Sequence, residues 1–270
     1  MSIELPIGVF DSGVGGLTVL HECLISLPAE DFLYLGDSGH FPYGTKTAEE
    51  LRERSSAVAA ELLGRGVKML VIACNSATAA AGDEIRALGA EAGVPVVTVV
   101  GPEAEIAASI SGNGRVGVLA TPATVASGAY RSALDSLGRP LTVTEVSAPD
   151  LAPIIQEGPT FDEQVLDTVR GYCQPLRDAG VDTLILGCTH YPLVAPMLQR
   201  MLGRDVSLVT AGHAIAAAIQ RELAGRNELA RDRVEGDYRF LVTGDVDSFV
   251  DVGTRFLQLP LAGRAERVEV

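Results

Sequence analysis

The sequence predicts an α/β fold made of two similar parallel-sheet domains. Short apolar runs alternate with longer Ala-rich segments, several of those runs lack polar alternation, and one half of the chain weakly repeats the other. Strands alternating with helices form βαβ units and parallel sheets. Strands without polar alternation suit sheets covered on both faces. The 270 residues give room for one large domain or two compact ones, at about 100–200 residues each.

Taken in order, Ile7–Phe10 and Phe32–Leu35 read as the first two strands. The helical segment Ala48–Leu63 leads to a strand at Met69–Ala73, and Ala77–Leu88 leads to another at Pro95–Val100. A second series follows, with strands at Val116–Ala120, Leu141–Val146, Thr183–Leu186 and Ser207–Val209 and a helix at Ala123–Leu137. Ala214–Leu223 reads as a helix and Phe240–Thr243 as a strand. Arg221–Arg239 carries both charge signs and reads as a solvated helix or loop rather than a binding site.

The repeat lies inside these strands. Ile7-Gly-Val-Phe-Asp-Ser12 resembles Val116-Gly-Val-Leu-Ala-Thr121, and Leu70-Val-Ile-Ala-Cys74-Asn75 resembles Leu184-Ile-Leu-Gly-Cys188-Thr189. The matches share order and similar spacing, and a cysteine directly follows the second strand of each pair. Chance likeness between apolar strands accounts for one match more readily than for two that end in the same rare reactive residue. In open α/β sheets, functional groups collect beyond the carboxyl ends of the strands. If the halves face each other about a pseudo-twofold axis, Cys74 and Cys188 approach one cleft from opposite sides.

Composition narrows the function. Apolar residues make up 47% and charged residues 21%, enough for a large core and against bulk disorder. A net charge of −14 lacks the electrostatic footprint of a nucleic-acid binder and is repelled by an anionic membrane surface. Lys46 and Lys68 are the only lysines, which restricts Schiff-base chemistry such as that of pyridoxal phosphate. The four cysteines, Cys23, Cys74, Cys173 and Cys188, do not form a disulfide framework in a chain this long. No basic region followed by an apolar stretch opens the chain, and no apolar run reaches about 18 residues, so a soluble, reduced, cytoplasmic protein is expected.

Four segments carry candidate chemistry. Asp11-Ser-Gly-Val-Gly-Gly16 follows the first strand, and its glycines permit a tight turn that exposes N–H groups to an anion. It matches neither G-x-G-x-x-G nor the Walker loop, so no nucleotide is indicated; an ordinary turn with Asp11 or Ser12 as helix cap is the plainer reading. The loop Tyr34-Leu-Gly-Asp37-Ser-Gly-His40-Phe-Pro42-Tyr43-Gly44-Thr-Lys46 places an acid at a strand end and a polar aromatic in a turn, all usual loop residues when taken singly. In Ala73-Cys74-Asn75-Ser76-Ala77 a thiol stands where a helix dipole favours thiolate, and Ser76 is equally a candidate cap. Gly187-Cys188-Thr189-His190-Tyr191-Pro192 repeats that setting and adds His190 beside the thiol, with Pro192 suited to the next helix start. Cys23 and Cys173 read as inert packing. A metal site is disfavoured, because no C-x-x-C occurs and the Cys188/His190 spacing is not a usual zinc pattern. Nucleophilic Cys–His hydrolysis would use one thiol and leave the other without a role.

Together these four motifs resemble the glutamate racemase family of the aspartate/glutamate racemase superfamily. The resemblance runs from the first strand to at least Ala211, with a matching strand–helix end at Phe240–Leu257. It implies a cofactor-independent amino-acid racemase of two α/β domains, residues 1–98 with 212–270 and residues 99–211, with the site between them. It implies that Cys74 takes the proton from the D-isomer and Cys188 from the L-isomer, with Asp11 supporting Cys74 and His190 supporting Cys188. Ser12, Tyr43, Gly44, Asn75, Ser76, Thr121, Thr124 and Thr189 match positions that hold the substrate's charged groups. Asp37 matches an acidic position of less certain role. Where the family often carries Pro-Leu-Val-Glu, this chain has Pro153-Ile-Ile-Gln156-Glu157, so Glu157 is a candidate accessory acid one residue out of place. The implied partner is glutamate, with no metal, nucleic acid or membrane, and the implied role is supply of D-glutamate for peptidoglycan. Acidic α/β enzymes of this size are often dimers, so a homodimer is a reasonable expectation. Racemisation of another acidic amino acid such as aspartate, and non-catalytic amino-acid or protein binding on the same fold, are the rival readings.

Overall fold

The computed structural model describes residues 4–158, 163–230 and 233–270. The chain opens with β1 (Ile7–Asp11), α1 (Leu17–Ser26), β2 (Phe32–Gly36), α2 (Ala48–Gly64), β3 (Met69–Ile72), α3 (Asn75–Ala92) and β4 (Val96–Thr98). Helix α4 (Val100–Ile110) then leads to β5 (Arg115–Ala120), α5 (Pro122–Ser127), α6 (Ala129–Ser136), β6 (Thr142–Ser147), α7 (Leu151–Glu157), α8 (Glu163–Asp178), β7 (Thr183–Gly187), α9 (Ala195–Leu202) and β8 (Ser207–Val209). Helix α10 (Ala211–Arg226) returns the chain to the first sheet, which gains β9 (Tyr238–Val242) and, after α11 (Val246–Leu257), β10 (Ala265–Arg267).

These elements form two parallel-sheet α/β domains. The first sheet has the order β10-β9-β2-β1-β3-β4 and the second β6-β5-β7-β8. Every pairing is parallel. The second order repeats the β2-β1-β3-β4 portion of the first, strand for strand. Ile7 pairs with Phe32 and Met69, while its counterpart Val116 pairs with Val143 and Thr183. The strands that share sequence are therefore the neighbouring central strands of both sheets, and their cysteines leave the same edge.

Burial follows the pleat. Ile7 and Val9 of β1 face one apolar cluster, and Phe10 faces the other. The smaller cluster lies between the first sheet and the inner faces of α2 and α3, with Leu51, Val58, Leu62, Ala81 and Ile85. The larger one continues from α1 and α10 into the second domain through Ala104, Ala107 and Leu184, so one core joins both sheets. At about 1.5–3 kcal/mol for each fully buried large apolar side chain, this shared core holds the domains in register.

Some local expectations shift. The helix expected over Ala123–Leu137 is two helices, broken where Gly128 adopts φ +67, a left-handed conformation that glycine tolerates. β10 is short and polar and owes its existence to pairing with β9. The charged stretch after Arg221 is not simply solvated. Arg226 ends α10, Asn227 closes it at φ 57, and Ala230 N–H donates to Glu30, which pairs with buried Lys68 at 2.6 Å. Among the described residues no helix is long and apolar enough to cross a membrane.

Candidate active site

The strand ends converge on one small cleft. Ser12 follows β1, Cys74 follows β3, Thr121 follows β5 and Cys188 follows β7. All four line the cleft, together with Tyr43, Gly44, Asn75, Ser76, Thr189 and His190. Both thiols are nearly buried, Cys74 at 5% and Cys188 at 8% exposure, and neither is in a disulfide. The accessible volume is only ≈ 20 Å³, where one water needs about 10–15 Å³. The domains close on each other directly: a Cβ on Gly44 would come within 2.7 Å of Thr121, and one on Gly15 within 2.3 Å of Thr189 and 2.5 Å of His190. Glycine is needed at both positions because the opposite domain occupies the space of a side chain.

On the first-domain side, Cys74 caps α3 and accepts the Ala77 N–H at 3.4 Å. Ser76 lies inside that helix and does not cap it. Sequence position alone suggests a thiolate here, but burial outweighs the helix start. It pushes the Cys74 thiol up to about 12, with the charge of Asp11 adding to the rise. Asp11 is fully buried beneath the cleft. It accepts the Gly13 N–H at 3.1 Å and the Thr189 hydroxyl at 3.2 Å, so it links the two domains. Burial raises its carboxyl above the ordinary range, against these hydrogen bonds. Neither Asp11 nor Ser12 caps α1, whose N-cap is Gly16.

On the second-domain side, a turn from Cys188 O to Tyr191 N precedes a 3-10 turn over Tyr191–Val194, with Pro192 in its first positions. Cys188 is therefore set in a looser turn than Cys74, and burial pushes its thiol up further. His190 Nδ1 stands 4.0 Å from the Cys188 sulfur, and Nε2 is 3.0 Å from Gln156 Oε1. The ring is flanked by Phe41 at 5.4 Å and Phe256 at 5.1 Å between centroids. Burial holds His190 down at about 3, so it is neutral at neutral pH.

Three hydroxyls meet across the domain boundary: Ser76 with Thr121 at 2.9 Å, Thr121 with Thr124 at 3.0 Å, and Ser76 with Thr124 at 3.3 Å. Thr124 supports the wall through these bonds. Asp37 sits behind the wall. It accepts Arg54 twice at 2.8 and 2.9 Å, Tyr43 at 2.6 Å, Thr243 at 2.7 Å and His40 at 3.0 Å. Burial opposes ionisation of Asp37, but these bonds outweigh it and hold the carboxyl below the ordinary range. Glu157 does not line the cleft. It lies in a separate surface hollow with Ser248, Asp251 and Arg255, and its neighbour Gln156 is the residue that reaches His190. Cys23 and Cys173 are buried in helices away from the cleft.

Other contributors had no role assigned from the sequence, although Phe41, Pro153 and Gln156 fall within its candidate segments. Phe41, Pro149, Ala152 and Pro153 line the cleft, and Gln156 and Phe256 contact His190. Glu103 carried a usable signal: Val100, Glu103, Ala104, Ala107 and Ala108 form the buried stripe of α4 at helical spacing, which puts this one acid inside. Among the described residues no group of three or more His, Cys, Asp or Glu could hold a metal ion.

Fold and cleft define a two-domain α/β protein with a buried thiol from each domain opening on one site. The family model described as Asp/Glu/hydantoin racemase matches residues 11–219, and the chain belongs to that family of racemases. A curated relative, the glutamate racemase of Mycobacterium leprae, is 43% identical over 260 residues, covering 96% of this chain and 94% of the relative. The solved structure of a glutamate racemase isoform from Bacillus anthracis has a TM-score of 0.91 at 35% identity, covering 98% of each chain. A glutamate racemase from Francisella tularensis, solved with D-glutamate, has a TM-score of 0.91 at 32% identity, covering 99% of this chain and 98% of that one.

Proposed function

We propose that this protein interconverts L- and D-glutamate without a cofactor, by two-base proton transfer at Cα. The observation that carries the reading is the opening of both Cys74 and Cys188 on one cleft, one from each domain. Inverting a stereocentre requires a base on one face of Cα and an acid on the other. One cysteine is thiolate when substrate is bound, and it takes the Cα proton as the C–H bond breaks. The opposite thiol gives its proton to the other face as the new C–H bond forms. The two sulfurs exchange protonation states in each turnover, and no electrons leave or enter.

Both thiols are neutral in the free protein, so one proton has to leave on productive binding. Asp11 on the Cys74 side and neutral His190 Nδ1 on the Cys188 side are placed to accept it. Cys74 serves the D-isomer and Cys188 the L-isomer. The substrate's carboxylates are held by N–H groups at Gly44 and the helix starts, and by the hydroxyls of Ser12, Ser76, Thr121, Thr124 and Thr189; Asn75 and Tyr43 complete the wall. This fits a protein of net charge −14, whose cleft lining contains no Lys or Arg among the described residues. The two domains are assigned to residues 1–98 with 212–270 and 99–211, related by a pseudo-twofold axis, a reading supported by their shared strand order. The role assigned is supply of D-glutamate for peptidoglycan in the cytoplasm, by a homodimer.

Incubation with L-glutamate in deuterium oxide tests the chemistry. D-glutamate carrying deuterium at Cα is expected; D-product without it overturns the mechanism. Cys74→Ala and Cys188→Ala are each expected to abolish racemisation. Substantial turnover by either removes the two-base assignment, and faster turnover of aspartate than of glutamate removes the substrate assignment.

A further inference from the structure

Behind Asn75 lies a polar cluster that the proton-transfer scheme does not use. Glu103 is fully buried on the inner stripe of α4, and Tyr130 of α6 is 1% exposed. Glu103 Oε2 accepts the Tyr130 hydroxyl and also Asn75 Nδ2 at 3.1 Å; Asn75 Nδ2 donates in addition to Tyr130 Oη at 2.7 Å. Three helices thus meet in one hydrogen-bonded triangle. It sits between the thiol-bearing segments: Asn75 follows Cys74, and a Cβ on Gly187, which precedes Cys188, would meet the Tyr130 ring at 2.9 Å.

The triangle determines what Asn75 can offer a ligand. Glu103 Oε2 and Tyr130 Oη are themselves hydrogen-bonded and lie too close together to take the two diverging amide hydrogens separately, so one N–H is shared between them and holds the nitrogen edge of Asn75 on that side. Its oxygen Oδ1 is buried and has no hydrogen-bond partner, although Asn75 lines the cleft at 2% exposure. A buried acceptor without a donor is destabilising until a ligand supplies one. A carboxylate oxygen cannot, because it is an acceptor too. An ammonium can, with three N–H donors and the complementary charge.

We propose that Glu103 and Tyr130 are positioning residues that turn Asn75 so that it presents an acceptor to the cleft, and that this acceptor selects the α-ammonium of the substrate. The proposal rests on the reading of the cleft as an amino-acid site. It divides the labour within the cleft: hydroxyls and backbone N–H groups take the carboxylates, and Asn75 distinguishes an amino acid from the corresponding hydroxy acid. A hydroxyl can donate to the same oxygen, but only the ammonium makes a charge-assisted bond there, roughly twice as strong as a neutral one, so the acceptor favours the amino acid.

Calorimetric titration with D-glutamate and with (R)-2-hydroxyglutarate tests this. The ligands share carbon skeleton and carboxylates and differ in ammonium against hydroxyl. The wild-type protein is expected to prefer glutamate. Tyr130→Phe keeps the ring and removes one of the two groups that hold the amide. It is expected to cut that preference by about tenfold, the scale of one hydrogen bond to a charged group, chiefly through weaker glutamate binding. Glu103→Gln reads the same ratio if Tyr130→Phe does not fold. Equal preference in the wild type, or a variant that weakens both ligands alike or neither, overturns the proposal. The ratio is a binding measurement, so it stays readable if Cα exchange in deuterium oxide fails, an outcome that would instead overturn the racemase reading.

Discussion

Nε2 of His190 donates to Oε1 of Gln156 across 3.0 Å, which leaves Nδ1, 4.0 Å from the Cys188 sulfur, as the acceptor of the ring. Gln156 therefore sets the tautomer that faces the thiol, and as a neutral amide it does not favour imidazolium. Gln156→Glu puts a carboxylate at this contact. An opposite charge favours the protonated ring, so His190 is expected to rise from about 3 by roughly one to three units. Nitrogen-15 NMR titration of the ring measures it, and an unmoved His190 would contradict the contact. The pH profile of the direction served by Cys188 is expected to change more than that of the other.

The buried thiols make a second expectation. Burial holds Cys74 at about 12 and Cys188 higher, so both are protonated at pH 8 in the free protein. Iodoacetamide reacts with thiolate. Slow alkylation of both is expected at pH 8, rising with pH up to the limit of folding. Mass spectrometry of tryptic peptides reads it site by site. Rapid modification of Cys74 near neutral pH would show that the helix start, not burial, controls its proton.

Asp37 is expected to behave as an anchor. Five hydrogen bonds from four residues hold it ionised behind Tyr43. Asp37→Asn sets an amide N–H against Arg54, whose side chain is 17% exposed, and the loss is expected to be about 2–4 kcal/mol of stability. As Tyr43 loosens, KM should rise about tenfold with kcat changed less. A collapse of kcat at unchanged KM would make Asp37 a participant in proton transfer.

Glu103 gives a stability signature that depends on pH. Burial raises its carboxyl from an ordinary 4.5 to about 8, against the bonds from Tyr130 and Asn75. Between these values the folded chain binds a proton that the unfolded chain has released. Stability contributed by this group is therefore full below pH 4.5 and falls as pH rises toward 8. Glu103→Gln, which cannot ionise, is expected to flatten that decline in melting temperature relative to wild type. Parallel curves would show that Glu103 is ionised in the folded protein.

Much of the architecture was legible from residues alone. All nine sequence-assigned strands correspond to observed strands, because unbroken apolar runs between helical segments have few other ways to be buried. The pairing of Cys74 with Cys188 was legible through the repeat, since strand ends in a duplicated sheet fall at equivalent places. The resemblance marked Gln156 as standing in the place of the family's acid, but its contact with His190, like those of Phe41 and Phe256, was not legible, because each acts from an element remote in sequence. The orientation of Asn75 was hidden for the same reason.

Sequence by itself determined the residue types at the strand ends, the doubled order of the strands and the shortage of lysine, all local or periodic properties of the chain. Tertiary structure decided the protonation of those residues and their partners. Burial reversed the thiolate expected at Cys74, while packing put Gln156 rather than Glu157 on His190 and turned the Asn75 nitrogen toward Glu103 and Tyr130. Desolvation and hydrogen-bond geometry depend on what packs around a group, and only the docking of the two domains supplies that.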